Sequence, residues 1–425
     1  MNLKGIFLLF LPFLLMNVLS AQKKILTIDD AVQLAKENNI SLKTAENTLD
    51  NLELLNKYSW NSVSPTASLS GNLSDDIESD SSSFSFSGSV NLNLKTNLYS
   101  EIKGAKLNYE KGLLTYNEAV RKIELSVRKS FYNLIYQKEN LVLQKRSLET
   151  SKTQYLNNQE KFQNGKISEL DAFTSRVNYE SKKPLVESAE INFQNDLATF
   201  KQLLGISQQT EIELDGSLDE ILNLKEISFG LLPKVDEPAP DVKSAEYNVE
   251  IAKNSLLDSR FSAYAPTVTG SYSYGKSKNS NQDDWTTTNK LSVGISVPLD
   301  GVLPWSALAV NIKTNKNALD TAEKNLEDAK TTVAVQTESY IRKINQAVKQ
   351  LDSLKSTEEL ANQTYQMTLT AYNYGKTDFL SLQNANDSVL SAGVNLKSQA
   401  YTLISTILDL ENVLGLDFGT LENQK

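Results

Sequence analysis

The sequence predicts a mainly α-helical chain with two β-hairpins, built as a duplicated helix–hairpin–helix–helix unit. Three observations predict it. First, short segments recur in the same order at an offset of about 200 to 210 residues: 42–46 (LKTAE) returns as 242–246 (VKSAE), 64–67 (SPTA) as 265–268 (APTV), 162–166 (FQNGK) as 372–376 (YNYGK), and 203–205 (LLG) as 413–415 (VLG). A solenoid would repeat every ~20–50 residues, so this is a duplication and not an array. Second, apolar residues fall at every seventh position through two long segments, the spacing of a coiled-coil seam. Third, four stretches switch to a period of two, the spacing of strands.

Thr27 reads as the first N-cap, with Asp30 in the capping-box position and Ala31, Leu34 and Ala35 following at helical spacing. This helix runs, with a break at Asn38 and Asn39, to about Val63, where Pro65 stops it. Residues 66–74 and 84–94 then alternate: Ala67, Leu69 and Leu73, then Phe84, Phe86, Val90, Leu92 and Leu94, are interleaved with Ser and Asn. The acidic, Ser-rich stretch 75–83 joins them as a hairpin loop. From about Glu101 to Gln163 the seam is Leu113, Val120, Val127, Leu134, Leu141, Leu148, Tyr155 and Phe162, a helix on the order of 90 Å long. Gly165 suits a helix C-terminus, Ser168 with Asp171 opens a new capping box, and a return helix runs to about Leu204. Residues 206–239, with Pro233 and Pro238, read as a connector. The second half repeats the plan: a helix to Tyr264, strands at 267–275 and 290–299 around a polar loop, a long helix after Pro304, a turn at Gly375 and a return helix to Leu414. Its seam is Leu319, Leu326, Val333, Tyr340, Ala347, Leu354 and Ala361. The division is thus 1–21 leader, 22–205 first repeat, 206–239 connector, 240–415 second repeat and 416–425 tail.

Residues 1–21 combine Lys4, an apolar run from Ile6 to Leu19, and the small residues Ser20 and Ala21, the pattern of a secretory signal peptide. The run falls short of the ~20 residues of a comfortable membrane span. Beyond it no window approaches 18 continuous apolar residues, so any membrane crossing falls to strands. A net charge of −9, from 43 basic and 52 acidic residues, argues against a nucleic-acid partner. With no His and no Cys, Ser-His-Asp, Cys-His and His-metal chemistry are excluded, and no cofactor is expected. Paired carboxylates as in glycosidases stay open in principle. The acidic clusters Asp75, Asp76, Glu78 and Asp80, and Asp283 with Asp284, sit in the hairpin loops and read as solvated, with weak Ca²⁺ binding as the sharper alternative.

Each expected strand is about 9 to 11 residues with one apolar and one small polar face, the length and pattern of a membrane-spanning strand. A soluble sheet with one buried face predicts the same alternation. The seams shift the balance, because six or seven heptads need neighbouring helices along their whole length. A closed barrel needs at least about eight strands, so several copies must pool their hairpins. Lateral assembly into a tube satisfies strands and helices together.

With these elements in place the chain resembles the TolC-like outer-membrane efflux channels over essentially its whole mature length. The most specific parts are residues 26–35 (LTIDDAVQLA) followed by Asn39, the junctions at Pro65 and Pro266, and the two Gly-centred turns with their return helices. The resemblance implies a homotrimer in the bacterial outer membrane, a twelve-stranded β-barrel continued by a long periplasmic α-helical barrel. It implies passage of drugs, other small molecules or secreted proteins from an inner-membrane transporter, usually through a periplasmic adaptor. Phe162, Gly165, Lys166, Tyr372, Gly375 and Lys376 become the expected adaptor-docking tip, although helix capping alone also explains the glycines. The chain departs from the family's apolar tip flanks in having Asn164 and Lys166, then Tyr374 and Lys376. Asp171 matches a gate aspartate, with capping as its other reading, while the basic partner position is Thr377. The positions of pore-lining carboxylates are Ser381 and Asn384, with Asp378 and Asp387 as nearby substitutes. Tyr155, Tyr340 and Tyr365 read as packing residues. The competing readings are a periplasmic coiled-coil adaptor or structural rod, and an oligomeric adhesin; neither requires two matched strand pairs.

Overall fold

The computed structural model describes residues 24–76, 81–219, 221–223, 238–280 and 284–421. The leader, Glu78, Asp80, Asp283 and Pro233 lie outside these. Strand β1 (Lys24–Leu26) leads to α1 (Ile28–Asn38) and α2 (Ile40–Lys57). The Thr27–Asp30 capping box forms in both directions. The break falls where expected: the Asn39 carboxamide caps α2 through the Ser41 and Leu42 N–H groups and donates to the Leu203 carbonyl at 2.8 Å. A 3₁₀ turn, Ser59–Val63, then delivers the chain to β2 (Thr66–Asp76), β3 (Ser81–Lys95) and the 66-residue α3 (Leu98–Gln163). Helix α4 (Glu169–Leu203) returns, and β4 (Ile212–Leu214) pairs in parallel with β1. The second half supplies α5 (Pro240–Tyr264), β5 (Thr267–Asn279), β6 (Thr286–Ser296), the 67-residue α6 (Ala307–Asn373) and α7 (Phe379–Leu414). At 1.5 Å per residue α3 and α6 are each about 100 Å long.

The hairpins join into one antiparallel sheet in the order β2-β3-β5-β6, so the two halves meet at the β3–β5 ladder. The strands exceed the expected lengths at the end away from the helices. Residues 276–279 and 286–289 belong to ladders and not to a loop, because backbone pairing continues wherever donors and acceptors face each other, whatever the side chains. At the other end β6 stops at Ser296 and not at Leu299, since Pro298 has no N–H to offer.

The buried core sits at the waist. Val127, Phe131, Leu134 and Ile135 of α3 meet Ile341, Ile344 and Leu351 of α6, Leu403, Ile404 and Ile407 of α7, and Ala31 and Ala35 of α1. The connector contributes where only irregular chain was expected: Ile212, Leu214, Leu218 and Ile221 all pack into this core. Burying a side chain of this kind is worth about 1.5–3 kcal/mol, which explains why the connector folds down.

Away from the waist the seams are only half covered. In α3 the buried seam positions are Val127 and Leu134, whereas Leu113 and Phe162 are exposed. Below the waist a different seam is buried, Ser147, Ser151, Gln154 and Asn158, with the same heptad spacing but polar. The expected packing tyrosine Tyr155 stacks on Tyr179 with ring centroids 5.9 Å apart.

Candidate functional site

The two Gly-centred turns are near copies. Each helix ends with a residue pair that folds back on the last turn: the Gly165 N–H donates to the Phe162 carbonyl at 2.8 Å and that of Lys166 to Lys161 at 2.8 Å, while Gly375 donates to Tyr372 at 3.0 Å and Lys376 to Ala371 at 2.9 Å. Both glycines are left-handed, with φ of 67° and 69°. A Cβ on either would meet nothing within 4 Å, so glycine is required by conformation and not by space. The return helices are capped by reciprocal pairs. Ser168 Oγ accepts from the Asp171 N–H at 3.1 Å, and Asp378 Oδ1 from the Ser381 N–H at 2.8 Å.

These caps decide where the expected gate residues stand. The Asp171 carboxylate accepts the Ser168 hydroxyl at 2.7 Å. Thr377 is half-buried, and Ser381 and Asn384 are exposed on α7. The substitute carboxylates are not free: the cap hydrogen bonds to Ser381 lower the pKa of Asp378, and Asp387 is paired with Lys182. At the expected docking tip Phe162, Gly165, Lys166, Gly375 and Lys376 are exposed. Tyr372 instead turns inward, its hydroxyl on Asn158 Oδ1 at 2.6 Å, its ring beneath Lys161 Nζ at 4.5 Å and edge-on to Phe379. Burial pushes its phenol pKa upward. It ties the second tip to α3.

Sequence reasoning missed the group above this tie. Lys182 Nζ, on α4, donates to Ser147 Oγ of α3 at 2.8 Å and to Asp387 Oδ1 of α7 at 2.7 Å. Its side chain is only 10% exposed, against 45% for Asp387. Asn178 reaches Ser151 and Asn386 reaches Ser147, both at 3.4 Å. The signal was present as the small polar heptad 147/151/154/158, one position from the apolar one.

At the far end of the molecule the sheet register sorts most side chains by face. One face carries Leu69, Val90, Leu94, Tyr272, Leu291, Val293 and Ile295, all exposed. The other is hydroxyl-rich: Ser68–Ser89, Ser70–Ser87 and Ser74–Ser83 form cross-strand hydroxyl pairs at 2.9, 2.8 and 2.6 Å. Strands β2 and β6 each keep one unpaired edge among the described residues. At the junction with the helices Tyr58, Trp60 and Trp305 are also exposed. No helix among the described residues is long and apolar enough to cross a membrane, and they hold no His/Cys/Asp/Glu cluster suited to a metal.

Long paired helices, hairpins gathered into one sheet and a Gly-capped tip on each pair make up one architecture. The outer membrane efflux protein family matches residues 31–206 and 231–416, and the chain belongs to that family. Among solved structures, the Campylobacter jejuni CmeC outer membrane channel matches with a TM-score of 0.77 at 19% identity, covering 91% of this chain and 85% of that one. The Vibrio cholerae outer membrane protein VceC matches at 0.75 and 14% identity, covering 92% and 96%. The open state of the Neisseria gonorrhoeae MtrE outer membrane channel matches at 0.69 and 18%, covering 92% and 89%. These likenesses establish the fold. No curated protein matches the chain.

Proposed function

We propose that this chain is the outer-membrane exit duct of a tripartite efflux or type I secretion system, passively conducting substrates from periplasm to exterior. Three copies pool their hairpins into a twelve-stranded barrel, above the minimum of about eight, and their helices continue the tube through the periplasm. The observation that carries this reading is the sheet: an apolar face left exposed, a hydroxyl face opposite it and two unpaired edges. An open edge and an uncovered apolar face are both costly in a monomer. Closure with further copies removes the edges, sets the apolar face toward lipid and turns the serines toward a wet lumen. Exposed apolar residues on α4, Leu170, Phe173 and Val177, recur at helical spacing and suit lateral contact.

The repeats 22–205 and 240–415, with the connector 206–239 between them, each supply one hairpin and one helical pair. The tip formed by Phe162, Gly165, Lys166, Tyr372, Gly375 and Lys376 receives a periplasmic adaptor, which links the duct to an inner-membrane transporter. Asp171, Thr377, Ser381 and Asn384 line the adjoining constriction. The chain serves as a conduit and not as a catalyst.

Disulfide trapping tests closure directly, because the chain has no cysteine of its own. Cysteines scanned over Ser68, Ser70 and Asn72 on β2 are combined with cysteines at Ser292, Gly294 and Ser296 on β6. Within one sheet these strands lie about 14 Å apart, beyond disulfide reach. Some pair is therefore expected to give covalent dimers and trimers in outer-membrane fractions. Monomers throughout the scan would contradict the closed barrel.

A further inference from the structure

On the apolar face of the sheet two lysines stand where only the hydrocarbon pattern would be expected. The register places Lys276 opposite Phe86 and Lys278 opposite Phe84, on the same face as Tyr272 and Tyr274. Trp285 lies just before β6, and its ring packs edge-on against Phe84 with centroids 6.0 Å apart. Since Thr286 pairs with Ser277, Lys278 falls between the strands that carry these two rings. Both lysines are thus set into a belt of Phe84, Phe86, Tyr274 and Trp285, at the end of the sheet away from the helices. The face below them carries no charge on β5 down to Val268, or on β6 from Leu291 to Ile295.

The position matters because a lysine on a lipid-facing strand is costly at the bilayer midplane and nearly free near an interface. The apolar run of β3 from Leu94 to Phe84 covers about 33 Å along the strand, or about 25 Å at the usual tilt, the height of an outer-membrane apolar band. Lys276 and Lys278 therefore fall at the outer boundary of that band, among rings that favour the headgroup level. Among the described residues neither lysine makes an ion pair. Asp75, on the same face, lies on β2, two strands from β5, and its carboxylate accepts the Ser82 hydroxyl at 2.7 Å. Asp284 precedes the belt residue Trp285.

We propose that Lys276 and Lys278, with the surrounding aromatic belt, form a binding site for the phosphate groups of an anionic lipid in the outward-facing leaflet. The inference rests on the barrel reading above, which puts this face in contact with lipid. Two ammonium groups two residues apart on one strand present donors to a phosphate monoester, while the rings take the adjoining glycerol and first acyl carbons. Near a membrane surface each lysine is worth a local enrichment of about fivefold in anionic lipid.

Trp285 provides a local readout. With Trp60→Phe and Trp305→Phe it becomes the sole tryptophan, and the full chain is reconstituted into phosphatidylcholine vesicles. Either brominated phosphatidic acid or brominated phosphatidylcholine is then added at equal mole fraction. The expected result is stronger Trp285 quenching by the phosphatidic acid, by about fivefold in local concentration or more, and equal quenching by the two lipids in Lys276→Gln/Lys278→Gln. Equal quenching in the chain that keeps both lysines would overturn the phosphate site while leaving the barrel reading intact. Absence of quenching by either lipid would overturn the barrel reading itself. Preference retained in the double variant would assign it elsewhere and remove the two lysines from the proposal.

Discussion

Lys182 illustrates how one residue can couple three helices. Its ammonium is buried against Ser147 and Asp387, so loss of Asp387 leaves a nearly buried cation without its carboxylate partner. Because Asp387 is itself nearly half exposed, the cost is set at about 1–3 kcal/mol for Asp387→Ala, and the midpoint of thermal denaturation in detergent should fall accordingly. The double variant Lys182→Met/Asp387→Asn should recover most of this, since removing both charges removes the desolvation penalty. Equal stability of Asp387→Ala and the parent would show that the pair contributes nothing. This group was not legible in the sequence because a heptad search rewards apolar residues, and here the buried positions are serine, glutamine and asparagine. A second residue, Glu411, is wholly buried and accepts the Gly419 and Leu421 N–H groups at 3.0 and 2.7 Å, holding the chain after Gly415 against α7. Burial raises its pKa above the ordinary 4.5. A carboxyl raised in the folded state adds stability that is complete below its unfolded value and is lost as pH rises through the folded one. Relative to Glu411→Gln, the parent should therefore gain stability as pH falls through that raised value toward 4.5. A constant difference across this range in denaturation scans would contradict the assignment.

At the scale of elements, the turns at Gly165 and Gly375 were the most legible part of the chain. A left-handed C-terminal glycine followed by a Ser–x–x–Asp or Asp–x–x–Ser cap is a local signal that needs no tertiary information. The strands were legible in existence but not in extent, because their outer ends carry Lys, Ser and Thr that pair through backbone alone. The β1–β4 pair was not legible at all: three residues on each side are too few for periodicity to register, and long-range burial decides them. Proline locks φ near −65°, whereas both tip glycines sit near +68°. Gly165→Pro or Gly375→Pro should therefore unwind the tip by at least about 1–2 kcal/mol without touching the sheet. Export should drop while the amount of protein in the outer membrane stays the same. Unchanged export in both variants would remove the tips from the docking role.

The whole molecule is a waist of packed hydrophobic residues with helical pairs extending one way and a four-stranded sheet the other. The duplication and the seams made this plan readable, since each half had to contain a hairpin flanked by long helices. The sequence could not show which stretch of each seam is covered within one chain and which is left for a neighbour, because heptad spacing marks a contact without naming its partner. Leu113 and Phe162, exposed on α3, are seam positions left uncovered within one chain. The central claim is that these copies close into a membrane duct, and the most direct measurement is conductance in a planar bilayer with native mass determined on the same preparation. A trimer with low, gated conductance is the predicted result. A water-soluble oligomer that conducts nothing after competent refolding would contradict it.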